Sequence, residues 1–222
     1  MLLDLPRRAV CEALGTALLL ASIVGSGIMG DALASGNVAV ALLANTAATA
    51  SALLALITAL APLSGAHFNP IVSVLAWRLD GLPGHDAAVY ALAQFAGAVA
   101  GVMVAHAMFG LPVLAVSRHA RPGLAMGWSE AVATFGLLLV IATVARSRPS
   151  AVPAAVAGYI AAAYWFTAST SFANPAVTVA RALTDTFAGI RPVNVPMFLG
   201  GQLCGAAAAY LCIRWLRPAR TE

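Results

Sequence analysis

Two stretches, SGAHFNPIVSVLAW and TSFANPAVTVARAL, each set an Asn-Pro dipeptide inside apolar sequence. Proline suits the first helical position, where its missing amide has no partner to lose, and asparagine before it is a favoured N-cap. Pro70 and Pro175 therefore begin short helices capped by Asn69 and Asn174. Each helix turns the partly positive end of its dipole towards its own cap. Two such caps brought together repel cations, while their side-chain amides offer hydrogen bonds to a neutral, hydroxylated solute. The residues leading into the caps are Gly65, Ala66, His67 and Phe68 in the first loop, and Thr170, Ser171, Phe172 and Ala173 in the second. They are expected to be extended, with their carbonyls forming a ladder of acceptors opposite an apolar wall.

Two acidic residues, Glu12 and Glu130, fall inside otherwise apolar stretches. An unpaired carboxylate in hydrocarbon is unfavourable, and by default it marks a substrate or proton path. This pair occupies equivalent places in an internal repeat, which favours a structural role: accepting hydrogen bonds from the backbone of the two Asn-Pro loops. Gln94 and Gln202 are placed for similar work between helices. His67 has two readings, a pore-facing donor or a buried neutral ring that holds its loop. His85, His106 and His119 lack metal-ligand spacing, and so do Cys11, Cys204 and Cys212. The cysteines read as small packing residues, with a thiol role towards a soft metalloid as the weaker alternative. No nucleophile–base–acid set, phosphate loop or acid–base carboxylate pair is present. The expectation is a protein that is not an enzyme and uses no cofactor and no metal.

Composition supplies the setting. The 222 residues are 61% hydrophobic and 9% charged, against about 25% charged in soluble domains. Mean hydropathy is +0.90. The net charge of +4 comes from arginines lying mostly between apolar runs, which suits orientation in a bilayer better than binding of nucleic acid. The first run, AVCEALGTALLLASIVGSGIMG, lacks a cleavage pattern before a soluble body, so it reads as a span. A helix needs about 20 apolar residues to cross about 30 Å of hydrocarbon. Stretches at 8–29, 37–60, 86–109, 126–145, 152–169 and 194–216 are the candidate spans. Two pieces, 69–79 and 174–185, are too short and are expected to be re-entrant half-helices. Interrupted backbone at that depth is tolerated only where protein covers it or where it lines a cavity.

Arg7, Arg8, Arg78, Arg146, Arg148, Arg214, Arg217 and Arg220 share one side of this arrangement, with Arg118, Arg121, Arg181 and Arg191 on the other. The positive-inside rule then places both termini in the cytoplasm. The halves repeat: CEALGTALLL matches SEAVATFGLLL, FNPIVSV matches ANPAVTV, and QFAGA matches QLCGA. Residues 1–112 and 113–222 thus form two units. Each holds an odd number of spans, so the second enters the membrane from the opposite side. The expected fold is an all-α membrane protein of six transmembrane helices and two re-entrant half-helices in an inverted repeat. In such folds the functional site lies near the midplane, where the interrupted segments meet.

Together, these motifs resemble the aquaporin family, the major intrinsic protein channels, over essentially the whole chain. The resemblance rests on Glu12 with Thr16, SGAHFNPIV, Gln94-x-x-Gly97, Glu130, SFANPAV and Gln202-x-x-Gly205. It implies a homotetramer in membrane lipid, with one pore per subunit passing water or small uncharged solutes passively. For a bacterial member it implies the inner membrane.

Two departures bear on selectivity. Ile71 stands where the family usually has alanine, and Val177 where it usually has the arginine of its narrow outer filter. Arg181 lies about one turn further along and does not simply replace it. Ungapped counting from the Asn-Pro motifs puts the other filter positions at Thr49, Ala162 and Ser171. These are small or medium, unlike the aromatic and histidine residues of water-selective members. Glycerol-type members usually follow their arginine with aspartate, where this chain has Thr178. The combination resembles bacterial channels of the family associated with arsenic resistance, which conduct arsenite-like species. The reading is a widened channel for neutral solutes such as metalloid hydroxides. Its alternatives are a general glycerol or water facilitator, a structural membrane protein with a closed pore, and an ion-coupled transporter using Glu12 or Glu130.

Overall fold

A computed structural model describes residues 3–216, and among these every regular element is helical. Helix α1 (Leu5–Leu33) starts where the Asp4 carboxylate caps the Arg7 amide. Helix α2 (Val38–Ser64) is capped by Asn37 and ends at Gly65, whose φ of 95° is a left-handed conformation glycine adopts without Cβ strain. There follow α3 (Pro70–Leu79), α4 (Gly84–Met108), α5 (Leu124–Ser147), α6 (Val152–Phe166), α7 (Pro175–Ala180) and α8 (Val195–Leu216). Single 3₁₀ turns precede α6 and α8, and a third, Arg181–Leu183, continues α7.

Helices α1, α2, α4, α5 and α8 are long and apolar enough to cross a membrane. The other two elements of the second half are shorter than the sequence suggested, and their amides and carbonyls show why. Helix α6 has 15 residues and stops at Phe166, short of 169. Thr167 is extended, and the next amide, Ala168, donates to Ser129 Oγ on α5 instead of continuing the helix. Helix α7 ends at Ala180, not near 185. The carbonyls beyond it are taken by crossing chain: Arg181 by the Ile190 amide, Ala182 by Ser117 and Leu183 by Ala115. Arg217 and Arg220 of the basic set lie outside the described residues.

Polarity is inside-out relative to a soluble domain. Leu18, Leu43, Leu92, Leu203 and Leu211 are exposed, whereas Glu12, Thr16, Gln94, Glu130, Thr134 and Gln202 are buried. Trp128, Trp165 and Trp215, near helix ends, are exposed as well, as suits side chains at headgroup depth. Lipid gives helices no hydrophobic drive to associate, so close backbone approach through small residues carries the packing. A Cβ at Gly97 would overlap the Ala13 carbonyl and one at Gly101 that of Ala17, where α4 crosses α1. The second half repeats this, with Gly205 against the Ala131 carbonyl and Gly201 against that of Gly127, where α8 crosses α5. These two tight helix pairs bracket α3 and α7, which meet cap to cap between them.

Candidate pore

The loops entering α3 and α7 depart from the extended form expected of them. Ala66, Phe68, Thr170, Ser171 and Ala173 all have φ between 46° and 62°. For residues with a Cβ that conformation costs roughly 1–2 kcal/mol each, so something must hold it. Glu12 holds the first loop. Its Oε1 accepts from Ser64 Oγ at 2.7 Å and the His67 amide at 3.0 Å, and its Oε2 accepts from the Phe68 amide at 2.7 Å. Glu130 holds the second, accepting from the Phe172 amide at 2.8 Å and the Ala173 amide at 2.7 Å.

Each carboxylate is tied onward to its half-helix. Gln94 Nε2 donates to Glu12 Oε2 and to Ser73 Oγ on α3, while Gln202 Nε2 donates to Glu130 Oε2 and to Thr178 Oγ1 on α7. Ser73 and Thr178 went unnoticed as partners, although both lie in the matched strings FNPIVSV and ANPAVTV, four residues after their Asn. Thr178 thus serves the frame, not the lumen.

The caps meet reciprocally. Asn69 Nδ2 donates to the Ala173 carbonyl and Asn174 Nδ2 to the Phe68 carbonyl, both at 2.8 Å. Their Oδ1 atoms cap the half-helices, Asn69 receiving Ile71 N and Asn174 receiving Ala176 N and Val177 N. An amide group carries two N–H donors. One on each Asn locks the opposite loop, which leaves one on each for a solute.

A cavity of about 590 Å³ runs past the two Asn side chains, from Asp80, Pro149 and Ser150 at one end to Tyr164 and Arg181 at the other. Gly65, Ala66, His67, Phe68, Ser171 and Phe172 line it; Thr170 does not. The opposite wall is apolar, with Leu19, Ile23, Leu53, Ile57, Val156 and Ile160. His67 combines its two readings, since it lines the cavity while Nδ1 sits 3.0 Å from Ser73 Oγ. Ile71 turns away into a cluster with Leu138 and Ile213. Neither Glu12 nor Glu130 reaches the lining.

At the Arg181 end stand Thr49, Ser171 and Val177. Ala162 does not join them: it faces outward from α6. Tyr164, two positions on, is buried on the cavity face, one turn from Ile160, and its hydroxyl donates to Thr49 Oγ1 at 3.2 Å. Counting without gaps missed this because α6 turns its Ile160–Tyr164 stripe inward and leaves the helix soon afterwards.

Two arginines previously read as markers of orientation approach the same end. Arg181 bonds through Nε to the Ala188 carbonyl, and its guanidinium lies 3.5 Å from the Phe172 ring centroid. Arg121, in the loop before α5, lies 5.1 Å from the same centroid and donates through Nε to the Gly189 carbonyl at 2.9 Å. Burial pushes the Arg121 guanidinium down to about 10, which leaves it charged at neutral pH.

This geometry has relatives. The family profile described as Major intrinsic protein matches residues 2–163. The chain belongs to the major intrinsic protein family. An aquaglyceroporin of Rhizobium meliloti, AqpS, is 56% identical over 219 residues, covering 98% of this chain and 93% of its own. The probable aquaporin AqpM of Archaeoglobus fulgidus is 30% identical, covering 94% of this chain and 96% of its own. The solved structure of the aquaglyceroporin from Plasmodium falciparum superposes with a TM-score of 0.70 over 96% of this chain and 95% of that one. At 20% identity, that likeness speaks to the fold. As a member of the major intrinsic protein family, the chain is a membrane channel for small solutes.

Proposed function

We propose that this channel passes uncharged solutes larger than water, metalloid hydroxides such as arsenite among them. The observation that carries the reading is Val177, a short apolar side chain lining the cavity where the family usually has arginine. An arginine there would occupy cross-section, orient the solute and add positive charge; valine does none of these. Thr49 and Tyr164 contribute hydroxyls at the same level, which suits a polyhydroxylated solute. Undissociated trivalent arsenic hydroxide has the size and hydrogen bonding of a small polyol.

In this reading Asn69 and Asn174, with Pro70 and Pro175, form the central constriction. Thr49, Tyr164, Ser171 and Val177 form the filter, and Glu12 and Glu130 brace the loops. Units 1–112 and 113–222 are inverted repeats, four subunits assemble, and the termini share the cytoplasmic face of a bacterial inner membrane. General glycerol or water facilitation is the second reading, supported by the name aquaglyceroporin carried by AqpS. Stopped-flow uptake of arsenite, methylated arsenicals, glycerol and water into proteoliposomes separates the two. Arsenite and glycerol uptake well above empty vesicles supports the first. Water flux with no arsenite uptake rejects it.

A further inference from the structure

Val177 leaves the position of the family's arginine without charge, yet a charge stands close by. Arg181 belongs to the cavity lining and is 2% exposed. No carboxylate among the described residues pairs with it. Its Nε bonds to the Ala188 carbonyl and its plane lies over Phe172, so the side chain is held in one orientation. The two terminal nitrogens make no hydrogen bond among the described residues, and the side chain lines the cavity. A buried charge without a counter-ion is unfavourable unless polar partners meet it; here the open side is the cavity.

We propose that Arg181 is a specificity-determining residue of this pore. From one helical turn beyond Val177 it supplies the cation-excluding charge and the solute-orienting donors. The cross-section at Val177 stays wide, while the positive field moves towards the end of the cavity where Tyr164 and Arg181 stand. Arg121, whose guanidinium lies 5.1 Å from the centroid of the same Phe172 ring, adds to that field and braces the 187–189 chain that fixes Arg181. A solute presenting oxygen acceptors meets two guanidinium nitrogens there, and a monovalent cation meets repulsion. The proposal rests on the channel reading.

The test uses the full chain in proteoliposomes, with Arg181→Leu, Arg181→Gln and Arg181→Lys. Potassium leak is followed by a voltage-sensitive dye, and glycerol uptake by light scattering in the same vesicles. Glycerol uptake above empty vesicles establishes a folded, open pore in each preparation. If Arg181→Leu does not fold, Arg181→Gln, closer in length and polarity, carries the comparison. The expected result is a potassium leak at least about tenfold above the parent in the neutral variants, and a parental leak in Arg181→Lys, which keeps the charge but loses the fork. An arginine that only braced the loop would lower thermal stability in all the variants and leave the leak untouched. Parental leak in the neutral variants, or equal leak in Arg181→Lys and Arg181→Leu, overturns the proposal. Absence of glycerol uptake by the parent would instead sink the channel reading.

Discussion

The Tyr164 hydroxyl donates to Thr49 Oγ1 at 3.2 Å, joining α6 to α2 at the level where Val177 faces the cavity. The bond spans 115 residues of sequence, and it defines one wall of the proposed filter by a helix pair instead of a loop. Removing the hydroxyl alone should cost about 1 kcal/mol, whereas removing the ring should widen the passage. Tyr164→Ala is therefore expected to raise uptake of polyols larger than glycerol, with Tyr164→Phe close to the parent. Ala162→Val, on the outward face, should leave the solute ranking as it was. Polyol series in stopped-flow uptake decide this; a ranking altered by Ala162→Val and not by Tyr164→Ala would restore the ungapped assignment.

Glu130 receives the amides of Phe172 and Ala173 and the Gln202 side chain. In Glu130→Gln the new NH₂ group must face one of these donors in a buried site. A loss of roughly 3 kcal/mol in stability is expected, seen as a lower melting temperature and reduced yield of folded protein in detergent. Glu12→Gln should behave alike, since it faces Ser64, His67, Phe68 and Gln94. Normal thermal stability with abolished flux would indicate transport chemistry instead.

Gly97 and Gly205 lie where a Cβ would overlap backbone, the carbonyls of Ala13 and Ala131. Backbone of a packed helix yields less readily than a flexible side chain. Gly97→Ala and Gly205→Ala should each destabilise by about 1–3 kcal/mol. Gly158→Ala, with open space around it, should be silent. Melting curves of the three proteins in one detergent check this, and equal melting temperatures would contradict the packing described.

Much of this architecture was legible because the sequence states it twice. An Asn-Pro pair in one apolar stretch is an ordinary cap; a second in register, with Glu12 and Glu130 repeated alongside, points to facing half-helices. The composition likewise announced lipid as the solvent. What stayed hidden depends on tertiary contact. The register of α6 turns on which face meets α2, and an alanine-rich run such as Ala161, Ala162 and Ala163 carries little face preference. The early end of α7 depends on amides from the 109–123 loop, which has no periodicity to read. Arg121 and Arg181 looked like topology markers because nothing in their spacing shows that both approach Phe172. The left-handed loop residues are not glycines, so their conformation is imposed by the carboxylates and not by local preference.

Val177→Arg in proteoliposomes, with glycerol, arsenite and water fluxes measured by stopped flow, bears most closely on the reading of a widened pore. Restoring the long side chain should lower glycerol and arsenite uptake by about tenfold or more and water by less than about threefold, with folded yield unchanged. Glycerol and arsenite fluxes equal to those of the parent would contradict the placement of Val177 in the filter that solutes pass.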